Sequence, residues 1–298
     1  MRNVFLFLLF SVTSLSALAE EDWSWWNDLH GWEEGMPGWR NWLIIAPAYL
    51  GPNALPVPEV KKGFFENESE FALSASSHFH AGDPTQDLSG RLFLPFAKGK
   101  IAIEMYGVLL EHYAYTEEIR NERFSRDKDG KGVAIGDFYF STLIQLSRNR
   151  KFPNTLFRMT LKTASGTNLE AARYADSPGY FFDVSSSKDF GSGESILFRP
   201  YGMIGFYSWQ TNDELMLQND ALLYGLGTEF EHGDLRFGAS WSGYYGYKNI
   251  GDRPMQLNFD LRKDFSKSAI SFQYQHGLHD WGYKTLRFSY IWKFNAVK

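Results

Sequence analysis

Apolar and polar side chains alternate along most of this chain. In RPMQLNFDLRKDF, residues 253–265, Met255, Leu257, Phe259 and Leu261 alternate with Gln256, Asn258, Asp260, Arg262 and Asp264. Successive side chains of a β-strand point to opposite faces, so this stretch is a strand with one apolar and one ionised face. The same period of two begins at Glu68 and persists almost to the end. It predicts twelve strands, at 68–80, 88–96, 99–115, 132–146, 154–164, 179–188, 194–209, 219–231, 234–247, 254–265, 268–277 and 282–294. No helical period of comparable quality lies between them, so the chain has no material of its own to cover an apolar sheet face.

Four strands show what the cover must be. Phe71, Leu73 and Phe79; Phe138, Phe140 and Ile144; Phe157, Met159 and Leu161; and Leu286, Phe288, Tyr290, Trp292 and Phe294 each have the period-two spacing of an apolar stripe. Lipid satisfies such stripes. In hydrocarbon every backbone N–H and C=O must be paired within the protein, which for strands requires a closed barrel. The connections agree: AKGK, SRNRKFP, DFGSG, HGD and SKS are compact, and they alternate with longer ones such as TEEIRNERFSRDKDGKG, SGTNLEAARYADSP and QTNDELMLQN. Transmembrane barrels have short periplasmic turns and longer outer loops, so the alternation predicts an even strand number with both termini on the periplasmic side. The expected fold is all-β, a closed antiparallel transmembrane β-barrel of about 12 strands over residues 68–298.

The segment ahead of the strands differs in character. Trp23, Trp25, Trp26, Trp32, Trp39 and Trp42 cluster there, and Pro37, Pro47, Pro52, Pro56 and Pro58 disfavour long regular elements, leaving room for a short helix at 21–31. Residues 20–67 form a Trp/Pro-rich extension and a candidate lumen plug. Partial insertion of 37–60 into the lumen is expected, with 20–36 interfacial or periplasmic, because indole rings favour the membrane interface. Residues 1–19 carry Arg2, an apolar run from Val4 to Phe10, and Ala17 and Ala19 at the spacing of a signal-peptide cleavage site. The chain has no Cys, so neither a lipidated Cys nor a disulfide contributes. A mean hydropathy of -0.35 is incompatible with a bundle of membrane helices, and a net charge of -5 without a basic cluster argues against nucleic acid as a partner.

Together these residues resemble a Gram-negative outer-membrane β-barrel. The last strand, TLRFSYIWKF, has the alternating aromatics of the assembly signal read by the outer-membrane insertion machinery, although Asn295 to Lys298 follow Phe294. A shorter similarity lies in IGDFYFSTLIQL followed by LFRMTLKTASGT. Gly136 and Asp137, then Lys162, Thr163, Ser165 and Gly166, resemble the G-D strand and K-x-P-T-G loop of the transporter barrels grouped with the MetA-pathway proteins of phenol degradation. Ala164 departs from that pattern. The similarity implies passive uptake of a small apolar or aromatic compound.

The inward rows carry the candidate lumen-lining residues Glu104, Asp137, Arg158, Lys162, Arg199, Glu229, Arg236, Asp260, Arg262 and Arg287, together with Glu70, Asp183, Glu231, Asp264, Arg91 and Lys293. Acids and bases balance, which favours a bracing network over rings selecting one ion sign. His78, His80, His112, His276 and His279 fall near the outer strand ends, and Ser76, His78 and His80 share one inward row. A serine hydrolase needs His within hydrogen-bond reach of Ser and a third group orienting it. The H-x-S arrangements of the lipid-modifying barrel enzymes do not occur, and ordinary rim histidines are favoured over hydrolase or metal chemistry. DKDGKG starts like a calcium loop but has Phe138 where Glu is needed, so it reads as a solvated loop tip. GLG at Gly225 and Gly227 lies within a strand, where glycine makes room for something packed close.

These features support a channel or uptake pore for small solutes, without cofactor, metal or catalytic residues. The expected surroundings are membrane lipid and lipopolysaccharide. The alternatives are a lipid-modifying hydrolase and a non-conducting structural or adhesion barrel.

Overall fold

The computed structural model describes residues 22–148, 151–191 and 196–295, so the expected signal peptide lies outside the described residues. Residues 22–36 belong to a small separate unit holding helix α1, Ser24–His30, which ends at Gly31 in the left-handed conformation, φ +66°. Residues 37–295 form the second unit.

That second unit is a barrel. Its strands are β1 Glu68–Phe79, β2 Thr85–Phe96, β3 Ile101–Ala114, β4 Lys131–Ala134, β5 Phe138–Ser147, β6 Asn154–Lys162, β7 Gly179–Ser187, β8 Leu197–Gln210, β9 Gln218–His232, β10 Leu235–Gly246, β11 Met255–Asp264, β12 Ser268–His279 and β13 Lys284–Asn295. Consecutive staves pair antiparallel, and β1 closes on β13 from Glu68↔Asn295 to Phe79↔Lys284. Twelve staves result, because β4 and β5 both pair with β3 and form one interrupted stave.

The interruption corrects the continuous strand expected at 132–146. At Ile135 to Asp137 the chain leaves the ladder: Thr167 N–H donates to Ile135 O at 2.9 Å, and Gly166 N–H donates to the Asp137 carboxylate at 2.8 Å. Gly136 N–H still donates to Val108 O of β3 at 2.9 Å, but the regular pairing lapses here and the groups on either side bond to the loop after β6. The second strand begins at Thr85 rather than at 88, and β12 runs on to His279, which moves the last connection from 278–281 to 280–283.

The two faces divide as the period requires. Phe71, Phe140, Met159, Phe259, Phe288 and Trp292 project outward and are exposed, while their neighbours Ala72, Tyr139, Arg158, Asn258 and Ser289 are buried inside. An exposed apolar surface continuous around a closed ladder is a lipid-facing belt. The short turns and the Glu68 and Asn295 ends share one rim, and the longer connections share the other, called here the loop rim.

Candidate functional site

Residues 39–67 run through the lumen from one rim to the other. At the loop rim Asn41 donates to Glu214 at 2.7 Å, Asn212 donates to Arg40 O at 3.1 Å, and Trp42 lies against Phe124 with ring centres 5.9 Å apart. At the opposite rim Arg148 donates to Phe65 O at 2.7 Å. Strands β1 and β13 do end on the same rim, but the segment preceding β1 turns back through the barrel and reaches the other.

Proline explains how the thread is held. Pro47, Pro52, Pro56 and Pro58 lack the N–H needed for a ladder, yet buried carbonyls must be satisfied. Wall side chains therefore supply the donors: Trp209 to Ile45 O at 3.0 Å, Trp281 to Pro52 O at 3.1 Å, Tyr244 to Leu55 O at 2.8 Å, Arg158 to Glu59 O at 2.9 Å and Gln145 to Gly63 O at 2.9 Å. Ile45, Leu50, Leu55 and Val60 are buried among Tyr139, Phe181, Tyr207 and Leu223. Room for the thread is made at Gly225, where an added Cβ would stand 2.5 Å from Val60.

At the loop rim an ion cluster ties four connections to the thread. Arg173 donates to both Asp83 oxygens at 2.9 Å and to Glu111 at 2.8 Å, and packs on Gly51. Arg123 donates to Asp83 at 2.7 Å, and Tyr283 also donates to it. Asn53 of the thread donates to Glu111 at 2.8 Å and Asp87 at 3.2 Å. Burial alone would raise the Asp83 carboxyl, but Arg173, Arg123 and the Tyr283 hydroxyl outweigh it and hold it at about 2.

Nearer the other rim, the acids and bases of the inward rows are paired. Lys61 of the thread meets Glu104 at 3.2 Å, Arg158 meets Asp183 at 2.7 Å, and Lys62 and Arg199 share Glu229. Arg262 meets Glu70 at 2.6 Å and Asp264 at 2.8 Å, and Arg236 meets Asp264 at 3.1 Å. Of the candidate lumen residues, Glu104, Asp137, Arg158, Lys162, Arg199 and Glu229 are buried in such contacts. Arg236, Asp260, Arg262 and Arg287 remain partly exposed to the lumen. The paired groups brace the wall and thread instead of forming a ring of one sign.

The shorter motif assembles into one node. Lys162 Nζ lies 2.6 Å from Asp137 and donates to Ser177 O at 2.7 Å, and Thr163 exchanges hydrogen bonds with the Phe138 backbone at 2.9 and 3.0 Å. It fastens β5 to the loop after β6, where the stave is interrupted.

The histidine readings need correction too. His78 does stand at the loop-rim end of β1, but it is buried, and its ring bonds Asp87 at 2.6 Å and Thr285 at 2.7 Å. Ser76 accepts from Arg287 at 3.0 Å, so the Ser–His contact that the hydrolase alternative would need is not made. The 127–130 loop is more than a solvated tip, since Asp127 accepts from the Tyr113 hydroxyl at 3.0 Å. No cluster of three or more candidate metal ligands occurs among the described residues. The periodicity did not single out Asn53, Asp83, Arg173 or Trp281, which lie outside the expected strands, whereas Tyr283 falls inside the one expected at 282–294. Trp209 and Tyr244 do fall on inward rows, where a bulky aromatic signals something packed against it.

No family model matches the chain, and no curated protein does either. Among solved structures, an outer-membrane channel from Pseudomonas putida F1 aligns with a TM-score of 0.52 at 14% identity, over 81% of this chain and 97% of that one. The KdgM porin in complex with disordered oligogalacturonate aligns with a TM-score of 0.47 at 9% identity, covering 75% and 99%. The CymD monoaromatic hydrocarbon channel gives 0.37 at 8% identity, covering 76% and 88%. With the closed ladder, the lipid-facing belt and the first of these likenesses, the chain has the fold of a β-barrel of the cell outer membrane.

Proposed function

We propose that this barrel is a passive pore for small solutes, narrowed by the thread that runs through it. The observation that carries this reading is an asymmetric lumen. The thread covers the aromatic wall, where Tyr207, Trp209 and Tyr244 are buried, while the wall of β11, β12 and β13 keeps Asp260, Ser271, Gln273, Gln275 and Arg287 partly exposed. A strip of polar, partly exposed side chains along this wall supports a path for a dissolved solute.

A second reading concerns the covered wall. Tyr106 and Tyr139 stack at 4.9 Å with ring planes 3° apart, so a lumen from which the thread had withdrawn would offer aromatic surface. That supports an apolar or aromatic solute, the class implied by the similarity to the phenol-degradation transporter barrels. In either reading, lipid and lipopolysaccharide surround the barrel and the insertion machinery assembles it.

The test is single-channel conductance in a planar bilayer with and without residues 37–60. Conductance should rise several-fold in a deletion variant that keeps heat-modifiable migration, because every stave pairs without the thread. Unchanged conductance in a folded variant would overturn the narrowing. Absence of conductance in both forms would favour the non-conducting barrel.

A further inference from the structure

The uncovered wall contains an unusual pair of ions. Strand register puts Asp260 of β11, Gln273 of β12, Arg287 of β13 and Ser76 of β1 side by side on one inward row. Asp260 and Arg287 are the exceptions to the pairing found elsewhere in the lumen. Among the described residues neither has an opposite charge within salt-bridge reach, and the amide of Gln273 lies between them. Its N–H donates to Asp260 Oδ1 at 2.8 Å, and its oxygen accepts from Arg287 Nη1 at 3.3 Å. Arg287 Nε donates to Ser76 at 3.0 Å. The next acid along the row, Asp87, is engaged by His78 and Asn53.

The Gln273 amide does a specific job here. It offers an oxygen to a cation and a donor to an anion across a span of two hydrogen bonds and one short planar group. A compact zwitterion offers the same two ends with full charges, and charge-assisted hydrogen bonds are roughly twice as strong as neutral ones. The long 3.3 Å contact also leaves the guanidinium capacity for the bidentate grip that carboxylates favour. All three side chains are partly exposed, so the site faces lumen water.

We propose that Asp260 and Arg287 form a binding subsite for a small zwitterion of the α-amino acid class, with its carboxylate on Arg287 and its ammonium on Asp260. The solute displaces the Gln273 amide, which serves as an internal neutral substitute while the site is empty. This inference rests on the pore reading for its purpose, but binding itself does not depend on conduction.

Equilibrium binding to the full-length protein in detergent, measured by calorimetry, tests it with glycine, acetate, methylammonium and glycerol as probes. Glycine should bind saturably, with acetate and methylammonium each weaker by about tenfold or more, the size of one lost charge-assisted hydrogen bond. Arg287→Gln and Asp260→Asn should each abolish the preference for glycine while heat-modifiable migration stays intact. Lys263→Gln, on the outer face of β11, should leave it unchanged. Equal binding of glycine and glycerol, or glycine binding that survives both lumen substitutions, would overturn the subsite. Bilayer current recorded on the same preparations separates the two readings: glycine binding without current supports the subsite and removes the pore, whereas current without glycine binding does the reverse.

Discussion

Acid should loosen the loop rim through Asp83. Its carboxylate is buried between Arg173 and Arg123 and titrates at about 2, against 3.8 for the unperturbed group. A carboxyl whose folded pKa lies below its unfolded one contributes stability above the unfolded value and loses it as pH falls through the folded value. Nearly two pKa units correspond to about 2.5 kcal/mol, an order-of-magnitude figure. This contribution should be complete at pH 5 and above, shrink below about pH 4 and vanish near pH 2. Asp83→Asn removes it at every pH and also leaves two buried guanidiniums short of a counter-ion, at a cost on the order of 3 kcal/mol near neutrality. The assay is denaturant unfolding in detergent micelles, followed by tryptophan fluorescence from pH 6 to pH 1.5 for wild type and variant. The stability gap should narrow by about 2 to 3 kcal/mol across that range as wild type loses its advantage. A gap that stays constant would refute the assignment of acid sensitivity to Asp83.

Three other outcomes are expected. Phe259→Arg should lower folded yield far more than Gln275→Arg, because arginine at a lipid-facing midplane costs roughly 2 to 4 kcal/mol, or about 30- to 700-fold in the folding equilibrium; comparable heat-modifiable yields would contradict the face assignment. Gly225→Leu should push Val60 off the wall and raise proteolysis of residues 43–60 in detergent, whereas unchanged protection would show that the thread adjusts. Since the chain has no Cys, Gly38→Cys and Ser266→Cys report the two rims cleanly. An impermeant maleimide applied to intact cells should label the first and spare the second, and the opposite pattern would invert the barrel.

The wall was legible in the sequence because a strand between lipid and lumen must alternate, and every second residue records its solvent. Phe288 and Arg287 show this directly: neighbours in sequence, one faces hydrocarbon and the other the lumen. The break at Ile135 to Asp137 was not legible, because alternation continues through a stave that leaves its ladder to bond with a loop. Nor was the course of the thread. Composition gave it an apolar, proline-rich character and reason to be covered, but its direction depends on partners far away in the chain, such as Glu214 for Asn41. The loop-rim cluster lay beyond reach for the same cause: nothing about Asp83 or Arg173 in isolation marks them as mutual partners across four connections.

The thread also constrains the order of folding events. Its hydrogen bonds join Ile45 to Trp209, Leu55 to Tyr244 and Pro52 to Trp281, across 164, 189 and 229 residues. Contacts at such separations repay loop-closure entropy only after most of the chain has been arranged. A segment lying inside an unbroken ring cannot be added from the side once the ring has sealed. The simplest kinetic route has the β1–β13 seam zip last, over a thread already laid against β6 to β10. Refolding would then show a slow final phase that residues 37–60 control, and a chain lacking them would seal sooner.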